Sequence, residues 1–178
     1  KFILENPQEP FVLFGFTSLI WTKLVNKLKK TNIKLPSNNG VLLHGGGWKK
    51  LKDQAVSREY FNTDITQFLG ISNIHNYYGM VEQTGSVFLE CEEGFYHPSI
   101  FSDILFRDEN LNIANVNQEG LIQVLSLLPH SYPGHSILTE DVGVLVGIDD
   151  CKCGRKGKYF LVKGRVQGAE LRGCSDVY

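Results

Sequence analysis

The sequence predicts an α/β fold, in which a parallel or mixed sheet with crossover helices is followed by a small β-rich subdomain. In the first part of the chain, continuous apolar runs alternate with segments of helical period, which is the rhythm of βαβ units. Beyond that part, short β-prone runs follow one another between turn signals, without a useful helical period between them. We therefore expect two domains, at residues 1–86 and 87–178.

The first domain is expected to begin with a buried strand. Phe11 to Phe16 is a continuous apolar run, as expected for a strand covered on both faces. Thr17 or Ser18 can cap the helix that follows, whose apolar residues recur every four positions from Ile20 to Leu28. A second buried strand, Gly40 to His44, comes after a turn-rich connector and closes on three glycines.

A helix in two pieces and a third strand complete this domain. Residues 49–68 have a helical pattern, with Asn62-Thr63-Asp64 as a stop and a fresh cap. A β-prone run from Ile71 to Tyr78 follows. In the second domain, β-branched and aromatic runs between turns predict a small antiparallel sheet or barrel. These runs are Val87 to Leu89, Ile104 to Phe106, Leu121 to Val124 and Val142 to Ile148.

Composition and charge exclude several classes of partner and compartment. The formal net charge of -1 provides no electrostatic case for nucleic acid or an anionic membrane. No apolar run reaches the roughly 18 residues of a membrane span, and residues 1–10 lack the apolar core and cleavage site of a signal peptide. The four cysteines, two of them in Cys151-Lys152-Cys153, suit metal binding or an intracellular thiol better than a secreted disulfide framework. We therefore expect a cytoplasmic protein.

The segment Asn76 to Gly85 combines residue types that suit a nucleotide. Two tyrosines stand at the end of the predicted third strand, followed by a glycine and then by the carboxylate of Glu82. Aromatic faces can stack on a planar base, and a carboxylate can hold Mg²⁺ near phosphates. Taken alone, such a run is more often core packing followed by a turn.

Three further pieces are each ambiguous when read alone. Gly45-Gly46-Gly47 lets the backbone approach a flat or anionic ligand closely, although it matches no standard phosphate-loop spacing. Thr139-Glu140-Asp141 offers acids for ribose hydroxyls, and Arg165 at a strand end can bind phosphate or ribose oxygens. The corresponding structural readings are a strand-to-helix turn, a solvated turn and a surface arginine.

The order of these pieces resembles the later part of the adenylate-forming enzymes, the superfamily of acyl-CoA ligases, luciferases and peptide-synthetase adenylation domains. The superfamily motif Tyr-Gly-x-Thr-Glu is matched at Tyr78, Gly79 and Glu82, with Val81 where threonine is usual. More narrowly, three stretches look like the acyl-protein synthetase branch, the fatty-acid to luciferin-component ligases near phenylacetate-CoA ligases. They are Leu13 to Ser18, Gly45 to Lys50 and Ala169 to Ser175.

The resemblance implies a site for ATP, Mg²⁺ and a carboxylic acid, in particular a fatty acid. Its chemistry would be formation of an acyl adenylate, followed by transfer of the acyl group to a thiol. Gly45, Gly46 and Gly47 would border the adenine and ribose, and His75, Asn76, Tyr77, Tyr78 and Gly79 would line the adenine pocket and the nearby acyl pocket. Glu82 would help hold Mg²⁺, Asp141 would bind the ribose hydroxyls, and Arg165 would reach the ribose.

Departures from the superfamily pattern limit this reading. The Ser/Thr/Gly-rich phosphate loop and the mobile C-terminal domain do not occur in these residues. We therefore expect a C-terminal fragment that is inactive alone, with an acyl-donor or acyl-acceptor protein as a partner of the whole enzyme. By resemblance, Cys174 would receive the acyl group as a thioester, and the alternative is an inert cysteine. A phenylacetate-type acyl-CoA ligase and a non-catalytic zinc-stabilised binding module remain alternatives for the whole.

The other three cysteines suggest a metal. Cys151 and Cys153 lie in a tight loop, and Cys91 and His97 lie where the β-rich half begins. Together they would form a Cys₃His site of the structural zinc type. The loop with the two close cysteines resembles one in some phenylacetate-CoA-ligase-like proteins. The alternative is three unliganded cysteines that pack as small apolar residues.

Overall fold

The structure is a computed structural model that describes residues 2–6, 8–166 and 168. The chain divides into two compact units, the first ending at Asn76 and the second beginning at Tyr77. The predicted domains, 1–86 and 87–178, stay a prediction. No helix in the described residues is long and apolar enough to cross a membrane.

The first unit is built on parallel strands, as predicted. Strand β1 (Phe11–Phe16) pairs with β2 (Gly40–Gly45) in parallel, with Phe11 opposite Gly40 and Phe16 opposite Gly45. Strand β3 (Asn73–Tyr78) lies next to β2, and its last two residues belong to the second unit. Since parallel neighbours need a crossover, helical segments connect these strands.

The helical segments of the first unit are short apart from one. They are α1 (Phe2–Glu5), α2 (Thr17–Leu19), a π-helical stretch (Ile20–Val25), α3 (Asn26–Thr31), a kinked 3₁₀ segment (Lys49–Gln54) and α4 (Arg58–Leu69). Apolar residues of the π-helical stretch, α3 and α4 pack with the strands around Trp21, Leu42, Phe61 and Ile65.

Two capping predictions were wrong. The helical break lies at residues 55–57, and Ser57 Oγ accepts the hydrogen bond from the Tyr60 N–H at 3.2 Å. Asn62-Thr63-Asp64 lies inside α4, because the Asp64 side chain is buried against Lys29 and does not turn back to cap a backbone N–H. Neither Thr17 nor Ser18 caps the first helix, because both lie inside α2 after the N-cap residue Phe16, and the Thr17 hydroxyl donates to the carbonyl oxygen of Gly45.

The second unit is an antiparallel sheet, as predicted. Its strands are β4 (Phe88–Glu90), β5 (Tyr96–His97), β6 (Ser102–Arg107), β7 (Glu119–Ser126), β8 (Ser136–Ile148) and β9 (Lys158–Arg165). From the end of β3, the order across the sheet is β4, β5, β9, β8, β7 and β6. In β7, buried and more exposed residues alternate, because successive side chains of a strand point to opposite faces. The buried face forms a core around Phe88, Phe106, Ile122 and Phe160.

Candidate functional site

Three of the residues predicted to bind the nucleotide meet in the second unit. The antiparallel register of β8 and β9 places Asp141 opposite Arg165, and Tyr78 ends β3. The Tyr78 hydroxyl donates to Oδ2 of Asp141 at 2.8 Å, and Nε of Arg165 donates to Oδ1 at 3.3 Å. Each carboxylate oxygen of Asp141 therefore accepts a hydrogen bond from a different side chain.

The surroundings hold the backbone of Asp141 and keep its partner Tyr78 protonated. The backbone N–H of Asp141 donates to the Thr139 hydroxyl at 3.0 Å, and that hydroxyl donates to the Ile122 carbonyl at 2.9 Å. Burial, and then the negative charge of Asp141, raise the pKa of Tyr78. The phenol therefore stays protonated and acts as a donor. An ionised carboxylate has about four acceptor positions, so Asp141 can accept further hydrogen bonds on its exposed side.

The ring of Tyr78 packs inside the second unit. Its centroid lies 6.0 Å from that of Phe88, 6.3 Å from Tyr96 and 6.3 Å from Phe160. Sequence reasoning offered core packing and ligand binding as alternatives for this tyrosine. The geometry combines the first with a task that was not predicted, because the buried ring carries a hydroxyl that orients Asp141.

Glu82 lies on a short turn after the third strand. A 3₁₀ segment, Val81–Gln83, follows Met80, and the Gln83 N–H donates to the Met80 carbonyl at 3.3 Å. Glu82 is exposed, whereas Gln83 is fully buried. The turn thus presents one carboxylate to solvent, where a hydrated cation can reach it.

The glycine triplet forms an open turn in the first unit. Gly46 and Gly47 have φ values of 78° and 59°, in the left-handed region that favours glycine. No atom lies within 4 Å of a Cβ built on Gly47, so the backbone is accessible there. His75 and Asn76 are half-buried on β3, and the His75 ring is hydrogen-bonded to Asn73 at 2.6 Å.

Sequence reasoning missed the role of His44, which immediately precedes the triplet. Its Nδ1 lies 2.9 Å from the Thr17 hydroxyl, which in turn donates to the Gly45 carbonyl at 3.1 Å. Because that hydroxyl proton points to Gly45, Nδ1–H of His44 is the donor. The alternation along β2 could have shown that His44 faces the same side as the buried Leu42.

Burial keeps this imidazole neutral. The pKa of His44 is lowered to about 4 by burial, and further by the positive charge of Arg58 and by His75. The ring of Phe61 lies 4.6 Å from the His44 ring. The glycine triplet therefore directly follows a histidine that is buried, uncharged and hydrogen-bonded.

The predicted metal ligands also come together, within the second unit. Cys91 follows β4, His97 ends β5, and Cys151 and Cys153 lie in the loop between β8 and β9. One potential ligand atom from each lies within 4.8 Å of the others. The sulfurs of Cys91 and Cys151 are 4.0 Å apart, and Sγ of Cys153 is 3.5 Å from Nε2 of His97.

These separations fit a tetrahedral zinc ion. Zinc bonds of ordinary length require about 3.8 Å between two sulfurs and about 3.6 Å between a sulfur and a nitrogen. Burial, and then Arg155, lower the pKa of His97, which favours the neutral ring that binds metals. Nδ1 of His97 is buried without a hydrogen-bond partner among the described residues, and Tyr159 stacks on the ring at 5.9 Å.

The thiols of Cys151 and Cys153 differ in their surroundings. Burial raises the pKa of Cys151 to about 11. Burial also acts on Cys153, but hydrogen bonds from the backbone and side chain of Arg155 outweigh it and lower the pKa to about 7. Arg155 is itself held by the Glu92 carboxylate at 2.6 Å. Cys153 therefore loses its proton more readily than an ordinary cysteine, and the thiolate is the form that binds a metal.

Comparison with known proteins decides the family. The family model described as acyl-protein synthetase, LuxE, matches residues 3–178. The chain belongs to the acyl-protein synthetase LuxE family. The resemblance drawn from the motifs is therefore confirmed. Cys174, the predicted acyl acceptor, lies outside the residues that the structure describes.

A curated relative gives the scale of the match within this family. The chain is 26% identical, over 150 residues, to the long-chain-fatty-acid–luciferin-component ligase of Aliivibrio fischeri. The aligned region covers 81% of this chain but 39% of that protein. The LuxE-family chain thus spans about two fifths of the length of this relative.

Solved structures confirm the predicted fold class. Apo MbtA of Mycobacterium smegmatis matches with a TM-score of 0.57 at 18% identity, over 92% of this chain and 30% of that one. A keto acid-selecting adenylation domain bound to keto acyl adenylate matches with a TM-score of 0.61 at 11% identity, over 92% of this chain and 36% of that one. O-succinylbenzoate CoA synthetase of Bacillus subtilis, in complex with ATP and magnesium, matches with a TM-score of 0.54 at 13% identity. The match covers 92% of this chain and 33% of that one. At these identities the match shows the fold alone, a mixed α/β sheet with few helices.

Proposed function

We propose that this chain is part of an enzyme that activates a carboxylic acid, of the fatty-acid class, with ATP and then transfers the acyl group to a thiol. The observation that carries the proposal is the hydrogen-bonded cluster of Tyr78, Asp141 and Arg165. Membership of the acyl-protein synthetase LuxE family supports it. So does the order of the other predicted site residues along the chain.

The proposed reaction has two steps. An oxygen of the acid's carboxylate attacks the α-phosphorus of ATP, the bond to the β-phosphate breaks, and pyrophosphate leaves with the electron pair. The product is an acyl adenylate. A thiolate then attacks the acyl carbon, and the carbon–oxygen bond to AMP breaks. Both steps depend on positioning and on neutralisation of developing charge.

The residues of the second unit have the following proposed roles. Asp141 accepts hydrogen bonds from the ribose hydroxyls, because Tyr78 and Arg165 fix its carboxylate while leaving acceptor positions unused. Arg165 adds a positive charge near the ribose. Glu82, exposed on its turn, is a ligand for Mg²⁺, since carboxylates are preferred by this hard cation.

The residues that precede them complete the proposed set. Gly45, Gly46 and Gly47 border the adenine and ribose, a role that the open, left-handed turn at Gly46 and Gly47 supports. His75, Asn76, Tyr77 and Gly79 line the adenine and acyl pockets. The acceptor in the second step is the Cys174 thiol, and an acyl-donor or acyl-acceptor protein is the expected partner. We also propose that the enzyme works in the cytoplasm and that these 178 residues alone do not form acyl adenylate.

We further propose that Cys91, His97, Cys151 and Cys153 hold a structural zinc ion. The support is the donor set and the tetrahedral separations of the ligand atoms. Such an ion would join the β4–β5 hairpin to the β8–β9 loop. Metal analysis of protein purified without chelator tests this, because absence of bound zinc would remove the proposal.

The proposed activity is tested with the full-length protein, ATP, Mg²⁺ and a radiolabelled long-chain fatty acid. We expect ATP-dependent labelling of the protein that hydroxylamine removes, as it does a thioester. Release of labelled acyl-CoA when CoA is added, without labelled protein, would indicate a phenylacetate-type acyl-CoA ligase instead. No acid-dependent consumption of ATP would favour a non-catalytic binding module.

A further inference from the structure

Gln83 is the one residue of the Val81–Gln83 turn that is fully buried. Its neighbour Glu82 is exposed. A buried NH₂ group must donate hydrogen bonds or it destabilises the fold, and it is this half of the Gln83 amide that is bonded, since Oε1 has no partner among the described residues. The partners of this amide therefore determine where the turn, and with it the carboxylate of Glu82, can lie.

Both amide protons of Gln83 are directed at carbonyl oxygens. Nε2 donates to the Gly134 carbonyl at 2.6 Å and to the Val124 carbonyl at 3.3 Å. Carbonyl oxygens only accept, so the amide group that faces them is the NH₂. The side chain thereby joins the turn both to β7 and to the segment before β8. These partners lie 41 and 51 residues away in the sequence.

The next two residues contact the same segment. The Thr84 N–H donates to the Tyr132 hydroxyl at 3.2 Å. Gly85 has a φ of 90°, and a Cβ there would lie 2.9 Å from Cδ1 of Leu128. Gln83 and Thr84 are thus hydrogen-bonded to residues 124–134, and the backbone of Gly85 passes close to Leu128 of the same segment.

We propose that Gln83 is a positioning residue for Glu82, and that residues 124–134 form the support on which the cation-binding turn is held. The proposal rests on the proposed role of Glu82 toward Mg²⁺. Gln83 touches no reacting atom. It acts by restricting the turn, so that the exposed carboxylate of Glu82 has one position instead of several.

Gln83→Met tests this inference because it keeps the length of the side chain and removes both hydrogen bonds. Gln123→Met is the matched control. Gln123 is a half-buried glutamine of β7 whose amide binds the Arg107 and Ser136 side chains and not the turn. Glu82→Gln is the reference for the carboxylate itself. All three are made in the full-length protein.

The first readout needs no ligand. Amide hydrogen exchange of residues 80–86 should accelerate at least about tenfold in Gln83→Met, because the turn opens more easily. Gln123→Met and Glu82→Gln should leave exchange there unchanged. The second readout is the Mg²⁺ concentration that gives half-maximal fatty-acid-dependent exchange of pyrophosphate into ATP. We expect it to rise about tenfold in Gln83→Met and more in Glu82→Gln.

The outcomes separate this inference from the proposed function. If Glu82→Gln raises the Mg²⁺ requirement but Gln83→Met behaves as Gln123→Met does, Gln83 has no positioning role. If Glu82→Gln changes nothing, both the role of Glu82 and the inference are wrong. Should Gln83→Met fail to fold, Tyr132→Phe removes only the bond to the Thr84 N–H. This variant should accelerate hydrogen exchange at Thr84 and raise the Mg²⁺ requirement a few-fold. If both quantities stay at their wild-type values, the proposal is wrong.

Discussion

The hydroxyl of Tyr78 donates a hydrogen bond of 2.8 Å to Asp141, although 63 residues separate them in the sequence. Arg165 holds the other carboxylate oxygen at 3.3 Å. The cluster joins the ends of β3 and β9 to the middle of β8. A carboxylate fixed in this way can accept two hydroxyls of a ribose without first having to be oriented.

Asp141→Asn in the full-length protein should raise the KM for ATP about 10- to 100-fold, with a smaller effect on kcat. Hydrogen bonds to a charged group contribute about 1.5–3 kcal/mol, and the amide also places an NH₂ opposite either Tyr78 or Arg165. Steady-state kinetics at saturating acid measures this. Asp103→Asn is the control, because that carboxylate binds Lys158 on the same sheet. Equal KM values in the two variants would remove Asp141 from the ATP site.

Tyr78→Phe should have a weaker effect of the same kind. The ring still fills its place against Phe88 and Phe160, and Arg165 still binds the carboxylate. Loss of one hydrogen bond of about 1 kcal/mol predicts a rise of about fivefold in the KM for ATP. Thermal unfolding checks that the fold is intact. An effect confined to stability would mean that Tyr78 is a packing residue only.

Removal of one zinc ligand should lower both metal content and stability. Cys91→Ser should reduce bound zinc from about one per chain to near zero and lower Tm by at least about 5 °C, because metal binding contributes to folding. Elemental analysis and calorimetry measure the two. Cys174→Ser is the control, since the proposed site uses the other three cysteines of the chain. A full zinc content in Cys91→Ser would contradict the proposed site.

The stability of the first unit should fall in acid because of His44. Burial lowers the folded-state pKa to about 4 from 6.5, so the unfolded chain binds a proton at higher pH than the folded one. The free energy of unfolding is therefore unaffected by His44 above pH 6.5 and declines as the pH falls toward 4. The loss is about 3 kcal/mol in total.

Tryptophan fluorescence can follow this unit alone. Both tryptophans of the chain, Trp21 and Trp48, lie in it, so urea unfolding monitored by fluorescence reports on its stability. His44→Gln should flatten the decline between pH 6.5 and 4. His130→Gln, a change at an exposed histidine, should leave the decline as it is. An unchanged slope in His44→Gln would show that another group causes it.

Cys174→Ser should allow acyl adenylate formation but abolish the hydroxylamine-sensitive acyl label on the protein. Serine keeps the size of the side chain and removes the thiol that we propose as the nucleophile toward the acyl carbon. Pyrophosphate release and the acyl label are measured on the same sample. A label that survives in the variant would exclude Cys174 as the acceptor.

Local patterns explain which parts of the fold the sequence predicts. The apolar runs that became β1 and β2, and the short runs of the second unit, could be read without knowledge of their partners. The Cys-x-Cys loop and the nearby Cys91 and His97 were readable for the same reason, since ligand chemistry restricts the residue types. Errors arose where a tertiary contact competed with a local signal. The Asp64 carboxylate is paired with Lys29, and the Thr17 hydroxyl is hydrogen-bonded to His44 and to the Gly45 carbonyl.

The parts of the site that could not be predicted depend on distant contacts. His44 finds its partner 27 residues away, and the amide of Gln83 finds carbonyls on another strand and loop. Backbone carbonyls have no residue identity, so no sequence pattern could mark them as partners. The tyrosine of the motif was visible, but its bond to Asp141 was not.

Fatty-acid-dependent exchange of labelled pyrophosphate into ATP by the full-length protein tests the central claim most directly. Reversible formation of an acyl adenylate predicts exchange that needs the acid and Mg²⁺ but no thiol, and that Asp141→Asn diminishes at subsaturating ATP. Exchange that is absent, or that proceeds equally without the acid, would contradict the account.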